Sequence, residues 1–284
     1  MTPRDEAGRS KARLTITLSP DVLDRVDRLI GRGEQANRSQ AIEALLRRSL
    51  EPSVTTAVIL AGGEHGVDEI PALVPVDGQA LMARTILHLA GYGIRSFVVL
   101  AGPYERAIRR LLGDGRGLDV EITYLRERSP RGTAGALKLV EDHVGGDPFL
   151  VIHGDVLTDM NIADFIAFHL AEGTIATIAV KPRQSEESFG QVLLQGNRIT
   201  DFLENRPNAG IRIVNTGVYL FDPRVFGMIA AGRTSRLEED VFPRLARMGE
   251  LSAFLFQGIW YDISSPKNYR RATKRLREKG VGAA

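Results

Sequence analysis

Two aspartates follow or end apolar runs: Asp155 after Phe149-Leu150-Val151-Ile152-His153-Gly154, and Asp262 in Trp260-Tyr261-Asp262. Two carboxylates gathered on one Mg²⁺ with phosphate oxygens are what phosphoryl-type transfer needs, because the ion offsets charge on the phosphates. An aspartate after a strand also serves as a plain cap, and that reading stays open. A second place for chemistry is Leu60-Ala61-Gly62-Gly63, which follows the apolar run Ala57-Val58-Ile59 as a nucleotide-binding loop follows its strand. Glycine there removes the Cβ that would hold a base or ribose off the backbone. Gly132-Thr133-Ala134-Gly135 opens a helical pattern and offers small residues and N–H groups to a base or phosphate; the alternative is a tight turn. The residues after Gly63 do not suit phosphate. They include Glu64, His65, Asp68 and Glu69, with no Lys or Arg before Arg84. An unperturbed histidine is mostly neutral at pH 7.

Positioning these groups requires a sheet. Apolar strands are read at 57–61, 96–101, 119–124 and 148–153, with helical patterns at 80–92, 103–113 and 133–144. Continuous apolar strands alternating with helices imply a mostly parallel, Rossmann-like mixed sheet with helices on both faces. Such sheets bind ligands at the carboxyl ends of their strands, where Gly62-Gly63 and Gly154-Asp155 both fall.

The chain divides near Glu51–Thr56, giving a domain at 1–50, a linker at 51–56 and a domain at 57–284. Lys11–Leu18 alternates strictly, with Leu14, Ile16 and Leu18 on one face and Arg13, Thr15 and Thr17 on the other. Ser19-Pro20-Asp21 reads as a helix start, and the apolar stripe Val22, Leu23, Val26, Leu29, Ile30 follows. Asn37-Arg38-Ser39 starts a second helix with Ala41, Ile42, Leu45 and Leu46. One strand and two short helices bury too little alone, and a lone strand leaves both edges unpaired. Dimerisation answers both. Net charge is +2, but residues 1–50 hold 10 Lys/Arg against 7 Asp/Glu. A polyanion-binding role therefore belongs at the N-terminus.

Composition narrows the classes. With 43% hydrophobic and 25% charged residues the chain is globular. It has no cysteine, which excludes disulfides, thiolate catalysis and zinc–thiolate sites, and fits a cytoplasmic location. No apolar run approaches the ~20 residues that span a bilayer, so no membrane role is expected. Met1–Arg13 has no apolar core of the signal-peptide kind.

Residues 11–50 resemble the ribbon-helix-helix DNA-binding family. The resemblance implies a small dimeric domain whose ribbon enters the major groove. Arg13, Thr15 and Thr17 would read base edges, and Asn37, Arg38 and Ser39 would hold a backbone phosphate at a helix start. The alternative is a dimerisation module with no DNA target.

Residues 57–276 resemble sugar-1-phosphate nucleotidyltransferases, the nucleotide-sugar pyrophosphorylases. The resemblance rests on "AVILAGG", "LVPVDGQALMARTI", "RGTAGAL", "VIHGDVLTD", "FLENRP", "VNTGVYLFDP", "LEEDVFP" and "WYDISSPKNY", in order. "GTAGAL" is most similar to the mannose-1-phosphate guanylyltransferase branch. The resemblance implies that Leu60, Ala61, Gly62, Gly63, Gly132 and Thr133 bind nucleotide and that Glu127 reads the base edge. It implies that Asp155 and Asp262 hold Mg²⁺, and that Glu204, Asn215 and Thr216 hold sugar hydroxyls. A carboxylate at 127 suits guanine or cytosine N–H groups, unless Glu127 is a surface charge. The chain departs from the family at its phosphate cations. The loop after Gly63 is shorter and lacks the Thr-Arg pair, the expected lysine is Pro71, and the second lysine is Asn205, beside Arg206. Each lost electrostatic contact to a transition state costs ~10²–10³ in rate. Two functions follow: a DNA-binding regulator whose larger domain binds a nucleotide sugar or sugar phosphate, or an active nucleotidyltransferase with an appended dimerisation module.

Overall fold

The computed structural model describes residues 15–31, 37–50, 53–63, 70–127, 130–184, 190–203 and 211–278. The chain forms two compact units, Met1–Glu51 and Pro52–Ala284.

In the first unit, α1 (Pro20–Gly31) and α2 (Arg38–Leu50) follow the two helix starts read from sequence. Asn37 caps α2, its side-chain oxygen accepting from Gln40 N at 3.0 Å. Val26 and Ala41 are buried between the helices. Residues 15–19, in contrast, are irregular. The strand expected over Lys11–Leu18 is thus not formed in its described part, and residues 11–14 lie outside the described residues. Strand hydrogen bonds need a second strand, which the described part of one copy does not supply.

The second unit begins with β1 (Thr56–Leu60). β2 (Pro75–Val76) and β3 (Gln79–Ala80) form a hairpin. Its turn residues Asp77 and Gly78 both have positive φ, 56° and 81°, as a two-residue type I′ turn requires. Then come α3 (Leu81–Ala90), β4 (Ser96–Leu100), α4 (Glu105–Leu112), β5 (Glu121–Leu125) and α5 (Gly132–Leu137), the last continuing as a 3₁₀ helix to His143. β6 (Phe149–His153), β7 (Val156–Thr158) and α6 (Ile162–Glu172) follow; α6 is capped by the Asn161 side chain and ends at Gly173 with φ 63°. The remainder is β8 (Ala176–Gln184), β9 (Gln191–Gln195), β10 (Arg198–Leu203), β11 (Ile211–Phe221), a π-helical turn at Leu237–Val241, α7 (Phe242–Arg247), β12 (Leu251–Leu255), β13 (Trp260–Asp262) and α8 (Pro266–Glu278).

Among the described residues nine strands form one sheet in the order β5-β4-β1-β6-β11-β8-β12-β10-β9. The β5-β4-β1-β6 half is parallel, and its strands agree with the sequence reading to within two residues. Beyond β6 the expectation of a mostly parallel sheet fails, for β12 beside β8 is the one parallel pairing there among the described residues. β11 runs antiparallel to β6 and β8, and β10 antiparallel to β9 and β12, so the sheet is mixed. A hairpin returns the chain antiparallel, and β9–β10 is one, turning at Gly196 with φ 59°. A further pairing, Val214 with Gln191, joins β11 to β9 and closes a ring of five strands. Side chains of one strand alternate between two buried clusters: Ala57 and Ile59 pack on one face of β1, Val58 on the other.

Candidate functional site

The carboxyl ends of β1, β4 and β6 open onto a cavity of about 730 Å³, the position at which parallel α/β sheets bind ligands. Two backbone bonds draw the loops together there: Ala61 N to Leu100 O and Gly154 N to Leu60 O, both 2.8 Å. Leu60, Gly62 and Gly63 line the cavity, while Ala61 is buried behind them. A Cβ on Gly62 would stand 3.0 Å from Gly102 N. Close loop packing thus favours glycine at 62 whatever binds beside it.

The two aspartates are brought together. β13 pairs antiparallel with β7, placing Asp262 opposite Val156, the residue after Asp155. Ile263 N donates to Asp155 O at 2.9 Å. Both aspartates line the cavity, and Asp262 Oδ1 accepts from Ser264 N at 2.9 Å. Among the described residues no cluster of three or more His, Cys, Asp or Glu side chains forms a metal cage. Two carboxylates, one just before β7 and one on its partner strand β13, still fit Mg²⁺, which commonly takes one or two carboxylates and completes its shell with water and substrate phosphates.

Glu127 also faces the cavity. Its Oε1 is buried with no hydrogen-bond partner among the described residues. Burial pushes the carboxyl above its ordinary pKa, against the opposing pull of Arg131. A buried acceptor left unsatisfied costs free energy, which a ligand N–H would recover.

Gly132 and Thr133 line the cavity, but the groups around them are committed within the protein. Ala134 N and Gly135 N both donate to Ser235 O at 3.1 Å. Thr133 Oγ1 donates to Glu238 Oε2 and accepts from Leu237 N, each at 2.8 Å. The start of α5 is thus tied to the π-helical turn. Gly132, with φ 73°, lies so close to Ser235 that a Cβ would strike its carbonyl.

Asn215 and Thr216 line the cavity from the irregular stretch of β11. Asn215 Nδ2 donates to Tyr219 Oη at 2.9 Å, and its Oδ1 accepts from Gly217 N at 3.0 Å. Thr216 Oγ1 donates to Ala179 O at 2.6 Å. Both side chains brace this irregularity as well as facing the cavity. Glu204, Asn205 and Arg206 lie outside the described residues, as do residues 64–69.

The described lining carries two arginines, Arg131 and Arg236, against Glu127, Asp155, Glu238, Glu239 and Asp262. Arg236 Nη1 lies 3.3 Å from Glu239 Oε1. Arg84, the first cation after Gly63 in sequence, and Arg126, beside Glu127, are not among the lining residues. Sequence reasoning missed Arg131, Arg236, His153 and Trp260 as cavity residues. The signal was adjacency: Arg131 precedes "GTAGAL", Arg236 precedes "LEEDVFP", and His153 sits two before Asp155.

In the first unit, Arg38 forms a two-toothed ion pair with Asp27, both contacts 2.7 Å. Arg38 holds the Asp27 carboxyl below its usual range. This guanidinium joins α1 to α2, so it is engaged before any DNA arrives. Thr15, Thr17, Asn37 and Ser39 are exposed, and Arg13 lies outside the described residues.

The sequence profile of the nucleotidyl transferase family matches residues 56–279, and that of the ribbon-helix-helix, copG-type family matches residues 12–51. A mannose-1-phosphate guanyltransferase of Neurospora crassa is 32% identical over 200 residues, covering 67% of this chain and 55% of that protein. The catalytic subunit beta of the Drosophila melanogaster mannose-1-phosphate guanylyltransferase is 31% identical over 227 residues, covering 76% of this chain and 61% of that protein. The match thus spans less than two thirds of either relative. HddC from Yersinia pseudotuberculosis, solved with GMP-PN, superposes with a TM-score of 0.68 at 21% identity, covering 78% of this chain and 100% of that one.

Proposed function

We propose, for a chain that belongs to the nucleotidyl transferase family, a DNA-binding regulator whose larger unit binds a nucleotide sugar or sugar phosphate and catalyses formation of the nucleotide sugar slowly or not at all. The observation that carries this reading is the charge of the cavity. Five carboxylates face two arginines, one of them beside Glu239, and the sequence from Gly63 to Arg84 supplies no cation. Nucleotidyl transfer brings together a triphosphate and a sugar phosphate, and one Mg²⁺ cancels only two charges. Catalysis of this kind rests mostly on positioning and on cations.

Binding asks for less. Leu60 to Gly63 would lie along the base and ribose. Glu127 would accept from the N–H groups of guanine, a choice that the guanylyltransferase relatives support. Gly132 and Thr133 would flank the nucleotide, and Glu204, Asn215 and Thr216 the sugar. Asp155 and Asp262 would hold Mg²⁺, which supplies neutralisation of phosphate charge when bound. In the first unit a dimer would present Arg13, Thr15 and Thr17 to base edges, with Asn37, Arg38 and Ser39 near a phosphate. The cytoplasm, where DNA and sugar phosphates meet, is the expected place. Among the described residues no helix is long and apolar enough to cross a membrane.

The β7–β13 ladder, which carries Asp262 and follows directly on Asp155, favours a second reading: an active sugar-1-phosphate nucleotidyltransferase carrying a dimerisation module. Pyrophosphate release from nucleoside triphosphates and hexose-1-phosphates with Mg²⁺ separates the two. The expected result is turnover far below about 1 s⁻¹, the low end of ordinary enzymes, together with thermal stabilisation of the protein by a guanosine diphosphate sugar. Turnover at or above that rate establishes the second reading. No stabilisation by any nucleoside diphosphate sugar at millimolar concentration removes the first.

A further inference from the structure

α8 is unlike the other helices in charge. From Pro266 to Glu278 it holds six Lys or Arg and one carboxylate, Glu278, its last residue, on a unit that is otherwise slightly acidic. The helix is docked. Ala272 and Leu276 are buried beside Val74, Leu81 and Ile263, and Tyr269 Oη donates to Pro75 O at 2.6 Å. Its opposite face carries Lys267, Arg270, Arg271 and Lys274, all exposed, at spacings i, i+3, i+4 and i+7. At ~1.5 Å rise per residue these four cations make one stripe about 10 Å long. No carboxylate among the described residues forms a salt bridge with any of them.

The stripe is costly to the helix. Lys267 with Arg271 and Arg270 with Lys274 are like-charge pairs at i,i+4, a spacing that destabilises a helix. Lys267 also lies in the first turn, where the helix dipole disfavours a cation. By contrast α4 places Glu105 under Arg109 at 2.9 Å, the compensated arrangement. Arg275, on the same helix, lines a second cavity of about 320 Å³ with Lys181 and Arg183 of β8. A surface that keeps repelling charges in register is stabilised by a polyanion laid along it.

We propose that the α8 face is a second DNA contact, binding the phosphates of duplex without reading its sequence. DNA is the favoured polyanion because the same chain carries a ribbon-helix-helix unit; the inference rests on that unit binding DNA. Phosphates repeat about every 3.4 Å of helix axis on each strand, so a 10 Å stripe spans several. Contacts of this kind add affinity and register but no base specificity.

The test uses the full chain and a random-sequence 40-bp duplex, with affinity measured by fluorescence anisotropy from 50 to 300 mM KCl. Arg270→Gln/Arg271→Gln/Lys274→Gln should shallow the slope of log affinity against log salt by about 2–3, since each released phosphate contact contributes ~0.9. Lys274→Gln alone should shallow it by about 1. The control Arg106→Gln/Arg110→Gln/Arg247→Gln removes equal charge from exposed sites elsewhere on the unit and should leave the slope unchanged. An unchanged slope in both α8 variants, while Arg13→Ala weakens binding, overturns the inference and leaves the first unit's role standing. Equal effects of the control and α8 triple variants reduce the inference to net charge and also overturn it. No binding by the wild type at 50 mM KCl removes both. Tighter α8-dependent binding to phosphatidylserine vesicles than to the duplex would assign the face to membranes instead.

Discussion

Glu127 concentrates the ligand question in one oxygen. Its Oε1 is buried without a partner among the described residues, and burial raises its pKa. In the free protein the neutral form is favoured more than in the unfolded chain, so this group's contribution to stability is present at acid pH and lost as pH rises through the elevated pKa. A ligand N–H reverses the preference by stabilising the carboxylate. Affinity for a guanosine diphosphate sugar should therefore increase as pH rises through that range, and calorimetry at several pH values reads it. Glu127→Gln should flatten the dependence and cost about tenfold in affinity, the worth of one charged hydrogen bond at ~1.5 kcal/mol. A steep dependence surviving in Glu127→Gln would assign it to another group. At this scale sequence was informative where a residue follows a strand, as Asp155 does. It was silent on Arg131 and Arg236, since an arginine is by default a solvated surface residue and only the fold places these two at the cavity.

Elements were legible as long as their period was unbroken. Residues 57–153 alternate apolar strands with amphipathic helices, and each of those elements exists. Past Asp155 the pattern degrades for physical reasons. β9 and β10 each have a mostly solvent-facing side, and β10 contains a register shift between Ile199 and Asp201. β11 contains another between Asn215 and Tyr219, which resets the alternation that period-counting depends on. The π-helical turn likewise breaks the helical period before α7. The loops at the carboxyl ends are held by backbone approach, which glycine substitutions can measure. Gly78 and Gly102 both have positive φ, but a Cβ on Gly78 meets nothing within 4 Å, whereas one on Gly102 lies 2.9 Å from Gly62. Gly78→Ala should cost about 1–2 kcal/mol for the left-handed backbone alone. Gly102→Ala should cost about 2–4 kcal/mol and also weaken nucleotide binding, because Gly62 must move. Urea unfolding and thermal shift report both; equal costs would mean that the loops are slack.

At the scale of the molecule, the first unit leaves large apolar groups in solvent: Ile16, Val22, Leu45 and Leu46 are 45, 39, 43 and 48% exposed. For a unit of some 50 residues that is a large part of its apolar inventory. It accords with the proposed dimer, in which the strand of each copy supplies the other's missing edge. Val22→Asp with Leu46→Asp should convert the dimer to a monomer in sedimentation velocity and lower DNA affinity with it; an unaltered dimer would place the interface elsewhere. In the proposed dimer two larger units would be tethered together at an effective concentration in the millimolar range. Under that condition an open sheet edge invites strand addition between copies and, from there, aggregation. The Val214–Gln191 pairing that returns β11 to β9 removes one of the sheet's two ends from that hazard. The other end is β5, a strand of five residues that begins with the exposed Glu121. A short border that begins on a charge would limit strand addition between copies at that end in the proposed dimer.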